Sequence, residues 1–251
     1  MGDRQTVLPG ASGPLVVITV GMPSLHHHPL SASSRFVRLV LGEYGESPQL
    51  IEEIPWERNE ALLALDPSGT LPLFIDDNGA VISGAGTIAE YIIETRRARA
   101  GEDALLPGDP VQRAETRRLV NWFNVKMNAE VTSFLVTEKV TKRLLPVARG
   151  GGPPDSAAIR AARANIRTHI RYIGYLADRR NWLAGKDLTL ADLAAAAEIS
   201  CIDYLGEVPW DEDQRARTWY ARIKSRPSFR PLLADLVRGA PPAKHYTDLD
   251  F

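Results

Sequence analysis

The residues best equipped for chemistry in this chain are few. Three histidines stand in a row, His26, His27 and His28. Consecutive side chains diverge along an extended strand, and no carboxylates stand at ligand spacing beside them, so the run does not read as a metal site. The one cysteine, Cys201, excludes an intrachain disulfide and a cysteine-rich metal centre. It lies in an apolar helical stretch, 194–202, and reads as an inert core thiol. Thr189 and Asp192 have capping-box spacing: the hydroxyl bonds the helix backbone and the carboxylate reaches back to the Thr189 N–H. That is folding chemistry rather than acid–base chemistry.

Charge and aromatic residues offer binding instead. Arg160, Arg163, Arg167 and Arg171 are spaced 3, 4 and 4 apart and share one helix face beside an isoleucine face. Residues 138–180 hold ten basic side chains against three acidic ones, a local +7 that leaves −8 for the rest. The ladder is either a solvated face or, because like charges repel, a surface that an acidic partner relieves. Trp56, in Ile54-Pro55-Trp56-Glu57-Arg58, is either a half-exposed contact residue or folded back over the next helix. At the chain end Pro241-Pro242 stiffens the root of a tail bearing Tyr246, Asp248, Leu249, Asp250 and Phe251. Large apolar groups are wasted in a disordered end, so the tail is expected to dock, on the body or on a partner, with a role in signalling.

The elements that must position these groups divide the chain in two. Residues 1–21 read as a leader, its first thirteen Gly-, Pro- and Ser-bearing without a period and expected to be disordered. Met22 directly precedes the first patterned segment, which leaves open whether it is the natural start. Strands are expected over 25–30, 49–54, 71–75 and 80–83, the last two joined by Asp77-Asn78-Gly79. Helices are expected over 34–44, capped by Ser34, over 57–65 and over 87–97. After Pro107 only helical periodicity remains: 112–139, 156–178, 189–205, 211–225 and 228–237. The resulting parts are an α/β domain over 22–100, an all-α domain over 107–238 and an extended tail over 240–251. With 251 residues, 44% of them hydrophobic, and a net charge of −1, the chain has the profile of a soluble cytoplasmic protein with a core. It lacks the basic excess of a nucleic-acid binder and any apolar run of membrane-spanning length.

A small α/β domain followed by an all-helical one is the order seen in the glutathione transferase fold, and local motifs agree. Residues 29–38, Pro-Leu-Ser-Ala-Ser-Ser-Arg-Phe-Val-Arg, resemble that family's first loop and helix. Asp66-Pro67-Ser68-Gly69-Thr70-Leu71-Pro72 resembles its cis-proline segment. Thr189-Leu190-Ala191-Asp192 and Arg226-Pro227-Ser228-Phe229-Arg230-Pro231 resemble its helical domain. The resemblance covers about 24–236 and implies a thioredoxin-like N-terminal domain. It also implies a glutathione site with three parts. Ser31 stands where the family places its thiolate donor; a hydroxyl at a helix N-terminus lowers a thiol pKa, while the plainer role is a cap. Leu71-Pro72 preserves the backbone part. The side-chain pair that grips the γ-glutamyl end aligns with Gly84-Ala85, which cannot grip. Two charge-assisted hydrogen bonds are lost there, at roughly 1.5–3 kcal/mol each, so the affinity deficit is on the order of a hundredfold or more.

His27-His28-Pro29-Leu30, the Trp56 loop and the ending His245-Tyr246-x-Asp248-Leu249-Asp250-Phe251 resemble the glutathione-transferase-like cell-division proteins of α-proteobacteria. That resemblance implies a cytoplasmic homodimer at the division site, without a cofactor, that binds FtsZ filaments and alters their curvature. It implies filament contact through the Trp56 loop, and septal wall-synthesis factors answering to the tail around Asp248. The alternative is a transferase that uses glutathione, with Ser31 as its catalytic residue.

Overall fold

The computed structural model describes residues 4–8, 16–96 and 105–249. Two strands precede the expected domain. β1 (Arg4–Leu8) and β2 (Val16–Val20) pair antiparallel, Arg4 opposite Val20. The expectation of a structureless leader is corrected over these ten residues. Val16-Val17-Ile18-Thr19-Val20 is all β-branched, and that strand preference prevails over the surrounding Gly and Pro.

The α/β domain is a four-stranded mixed sheet in the order β4-β3-β5-β6. β3 (Ser24–His27) runs parallel to β4 (Gln49–Glu52); β5 (Leu73–Ile75) is antiparallel to β3 and to β6 (Val81–Ser83). Gly79, at φ 85°, closes the β5–β6 turn by donating to the Asp76 carbonyl at 2.9 Å. Helix α1 (Ala32–Glu43) makes the crossover, and α2 (Glu60–Leu65) and α3 (Ala85–Thr95) follow β4 and β6. The cap of α1 is Ser31 rather than Ser34: the Ser31 hydroxyl accepts from the Ser34 N–H at 3.3 Å. Ser34 itself is buried, and its hydroxyl accepts from the His28 N–H.

The remainder is helical. The long helix α4 runs from Pro110 to Leu144, capped by Asp109 and Gln112 in a complete capping box. It is not uniform, since Trp122–Thr132 and Thr137–Thr141 are π-helical. Then come α5 (Ser156–Arg179), α6 (Leu190–Tyr204), α7 (Gln214–Lys224) and a single turn, α8 (Arg230–Leu233), shorter than the periodicity predicts. Every residue of α6 is buried, and its alanines at 194–197 let α1 and α4 close on it. One core therefore runs through both parts, from Phe36, Val40 and Phe74 to Phe123, Ile170 and Trp219. Polar ties cross the same boundary: Arg38 to Asp235 at 2.7 Å, and Arg226 to both oxygens of Glu43.

Candidate functional site

The Leu71–Pro72 peptide, in the turn before β5, is cis. The Leu71 N–H and C=O make no hydrogen bond among the described residues, so a backbone-pairing edge is open beside Pro72. Across from it Gly84 donates to the Pro72 carbonyl at 3.3 Å and caps α3 without a side chain. Its φ of 86° lies where side chains are strained, although a Cβ would meet nothing closer than Thr87 Oγ1 at 3.6 Å. Ala85 and Gly86 follow, and neither offers a polar side chain to an ammonium or a carboxylate. The cleft thus keeps the backbone features of a peptide site, while its side-chain grip does not fit the γ-glutamyl end of glutathione.

The neighbouring imidazoles are neutral. Burial, then Arg38, lowers the His27 pKa to about 4. Burial, then Arg35, also lowers that of His28, whose Nδ1 accepts from the Leu30 N–H. Ser31 serves as the helix cap and its O–H stays able to donate. Among the described residues no His, Cys, Asp and Glu side chains gather as a metal site. Cys201 is buried under Leu30, and burial pushes its thiol up to about 12, well out of nucleophilic range.

Trp56 is half-buried, its ring 6.4 Å from that of His28. Its loop is held at both ends. Glu53 is buried, pairs with His26 Nδ1 at 2.8 Å and accepts twice from Asn59, which also caps α2. Sequence reasoning missed this clasp, because its three polar residues are unremarkable one at a time.

Three arginines of the ladder meet acids of the chain itself. Arg163 is bidentate to Glu207, and Arg167 and Arg171 both pair with Glu212; Arg160 donates to Ser156 Oγ. The acids come from the connection between α6 and α7, distant in sequence, so the chain itself supplies the counter-charge for three of the four.

The tail is folded rather than extended. Tyr246 is fully buried, its hydroxyl donating to the Leu232 carbonyl and accepting from Arg35 Nη1, both at 3.0 Å. Arg35 is fully buried too. Its Nε donates to the Pro29 carbonyl, its Nη1 also to Ser200 Oγ, and its plane faces the rings of Tyr204 and Tyr246. Burial opposes that charge, but Tyr246 and Asp235 outweigh it and hold the guanidinium cationic. Around this centre Tyr204 ties down Val237, Ala240 and Ala243, and Asp203 pairs with Lys224 and His245. The C-terminal segment joins Leu30, Ala32 and Val140 in a second apolar cluster against the start of α1. Asp248 and Leu249 lie exposed beyond the anchor, and Asp250 and Phe251 lie outside the described residues.

Residues 25–100 match the profile of the glutathione S-transferase N-terminal domain. Over 231 residues, 91% of this chain and 98% of the other, the sequence is 46% identical to FtsZ-localized protein A of Caulobacter vibrioides. The chain belongs to the glutathione S-transferase family. Two solved members superpose over 92% of this chain and 100% of their own. They are a glutathione S-transferase from Sinorhizobium meliloti, at TM-score 0.86 and 52% identity, and FzlA from C. crescentus, at TM-score 0.85 and 45% identity. GstB of Escherichia coli is a more distant relative, 24% identical over 68% of this chain and 76% of its own. The transferase-family fold, a thioredoxin-like sheet domain ahead of a helical domain, therefore has solved counterparts along nearly the whole chain.

Proposed function

We propose that this glutathione S-transferase family member is a non-enzymatic cell-division regulator. It binds FtsZ filaments as a homodimer, alters their curvature and promotes constriction from the cytoplasmic side of the division site. The observation that carries the reading is the 46% identity, over nearly the full length, to a protein named for its localisation with FtsZ. The cleft agrees with it, because Gly84 and Ala85 stand where a transferase needs two polar side chains. Filament contact falls to the Trp56 loop, and signalling to septal wall-synthesis factors falls to the exposed end around Asp248. Two weak filament sites on one dimer act as one avid site when both engage. Co-sedimentation with polymerised FtsZ tests the reading. The chain is expected in the pellet, and Trp56→Ala is expected to lower the pelleted fraction. A chain that stays in the supernatant overturns the adaptor role.

A second reading, a transferase that uses glutathione, is favoured by the open backbone edge at Leu71 and by Ser31 at the helix N-terminus. Calorimetry with millimolar glutathione decides between the two. Binding together with turnover of an aromatic halide, lost in Ser31→Ala, would restore the enzyme.

A further inference from the structure

β4 is the edge of the sheet, and its outer side pairs with nothing among the described residues. Gln49 and Glu53 donate inward to the carbonyls of Pro23 and His27. By the alternation of a parallel ladder, Leu50 and Glu52 point their N–H and C=O groups outward. Beside this edge a groove of about 280 Å³ opens between the end of α1 and the start of α8, lined by Leu41, Gly45, Pro48, Leu50, Pro231 and Leu232. Leu50 is 43% exposed, and Met22 and Ile54 are exposed near the two ends of the strand. Unpaired backbone, an apolar slot and a neighbouring aromatic loop together match what an extended peptide needs in order to add a strand.

The charges select the occupant. Glu52, Glu57 and Glu60 are exposed and have no partner among the described residues, and Arg58 is the one basic residue in the stretch 49–60; Arg38 also borders the groove but is paired with Asp235. A second copy laid edge to edge would bring Glu52 against the same acids, which disfavours self-pairing. We infer that the β4 edge and its groove take an extended basic segment of the filament partner. Its main chain pairs with Leu50 and Glu52, one apolar side chain enters the groove, and its cations meet Glu52, Glu57 and Glu60. This inference rests on the adaptor reading and deepens it, because the Trp56 loop continues directly from β4.

The test uses the full chain and polymerised FtsZ. Glu52→Pro deletes an outward N–H that no internal bond uses, and edge strands tolerate proline; Glu52→Gln removes only the charge. Leu50→Lys puts a cation at the mouth of the groove. Glu52→Pro and Leu50→Lys are expected to weaken pelleting about tenfold, and Glu52→Gln two- to threefold. Amide exchange at Leu50 and Glu52 is expected to slow on filaments, and circular dichroism should show all three variants folded. Undiminished pelleting of folded Glu52→Pro and Leu50→Lys overturns this inference and leaves the adaptor reading standing. If the unaltered chain does not pellet, the adaptor reading falls and takes the inference with it. A dimer that Glu52→Pro dissociates, with pelleting unchanged, assigns the edge to a second copy and also overturns it.

Discussion

Ser31 and Arg35 stand about one turn apart on α1, and they serve two very different regions. Ser31 caps the helix at the position that the family resemblance assigns to the cleft, where Leu71 offers an unpaired main chain and Gly84 and Ala85 offer no polar side chain. Arg35 is fully buried where Pro29, Ser200 and Tyr246 each take one of its hydrogen bonds. The cleft offers open backbone at Leu71 and no polar side chain at 84–86. The anchor is built almost wholly from side chains that fasten the chain's own C-terminus. A fold can thus retain the geometry of a ligand site while the interactions that hold it together serve a different end.

The largest way to break this comparison is Tyr246→Ala. It removes a fully buried ring and one hydrogen-bond partner of a buried cation, so the expected loss is about 3–5 kcal/mol of unfolding free energy. Tyr246→Phe keeps the ring and should cost about 1–3 kcal/mol, because the Leu232 carbonyl and Arg35 each lose a partner. Urea denaturation measures both. Equal stability of the alanine variant would mean that the tail is not anchored.

A second contrast lies along α6, where Asp203 and Glu198 are both fully buried. Asp203 is matched by the cationic Lys224 at 3.2 Å, whereas Glu198 meets no cation among the described residues and accepts from the neutral Asn128 side-chain amide on the π-helical stretch of α4. Burial raises the Glu198 pKa from 4.5 to about 8. Between those values the folded chain holds a proton that the unfolded chain has released, so stability falls as pH rises from about 4.5 to about 8. Glu198→Gln removes that slope, and the variant is expected to exceed the parent by on the order of 2–4 kcal/mol at pH 9, read from denaturation midpoints against pH. His27 tilts stability the opposite way at the acid end. Its pKa, lowered to about 4, makes stability fall as pH drops through the window from 6.5 to 4.

The cleft itself can be sharpened by restoring its side chains. Gly84→Glu with Ala85→Ser supplies an ammonium acceptor and a carboxylate donor, and glutathione affinity in calorimetry is expected to rise about a hundredfold over the parent. The φ of 86° at position 84 should cost about 1–3 kcal/mol of stability, since a glutamate there is strained. No gain in affinity would mean that the cleft differs from a transferase site by more than this pair.

What the sequence made legible follows the range of the interactions involved. The two-part fold, the Asp77-Asn78-Gly79 turn and the Thr189–Asp192 capping box are local, and each is where periodicity or spacing put it. The cap of α1 moved from Ser34 to Ser31 because apolar periodicity starts inside the helix and does not report its first turn. The long helix was legible, but its π-helical runs, at Trp122–Thr132 and Thr137–Thr141, were not, since their side chains keep ordinary helical spacing in sequence. Arg35 was invisible as an anchor, because an arginine in a helix reads as a surface residue until Ser200 and Tyr246 arrive from 165 and 211 residues away. The Trp56 loop and Gly84-Ala85 stood out as single residues, yet the Glu53–His26–Asn59 clasp required the fold.

The arginine ladder gives the smallest effect and the cleanest discrimination. Arg163 is more than half exposed, and Glu207 retains Lys139 when Arg163 is removed, so Arg163→Ala should cost no more than about 1 kcal/mol. Glu212 holds both Arg167 and Arg171, and either one alone should be similarly dispensable. Arg160 is exposed, bonds Ser156 and forms no ion pair within 4 Å among the described residues, and Arg160→Glu should leave urea denaturation within error of the parent. In FtsZ pelleting Arg163→Ala and Arg160→Glu are expected to match the parent, while Trp56→Ala falls. If Arg160→Glu instead abolishes pelleting and Trp56→Ala does not, the filament contact belongs to the helical domain. The acids at 207 and 212 would then be guarding that face rather than completing it.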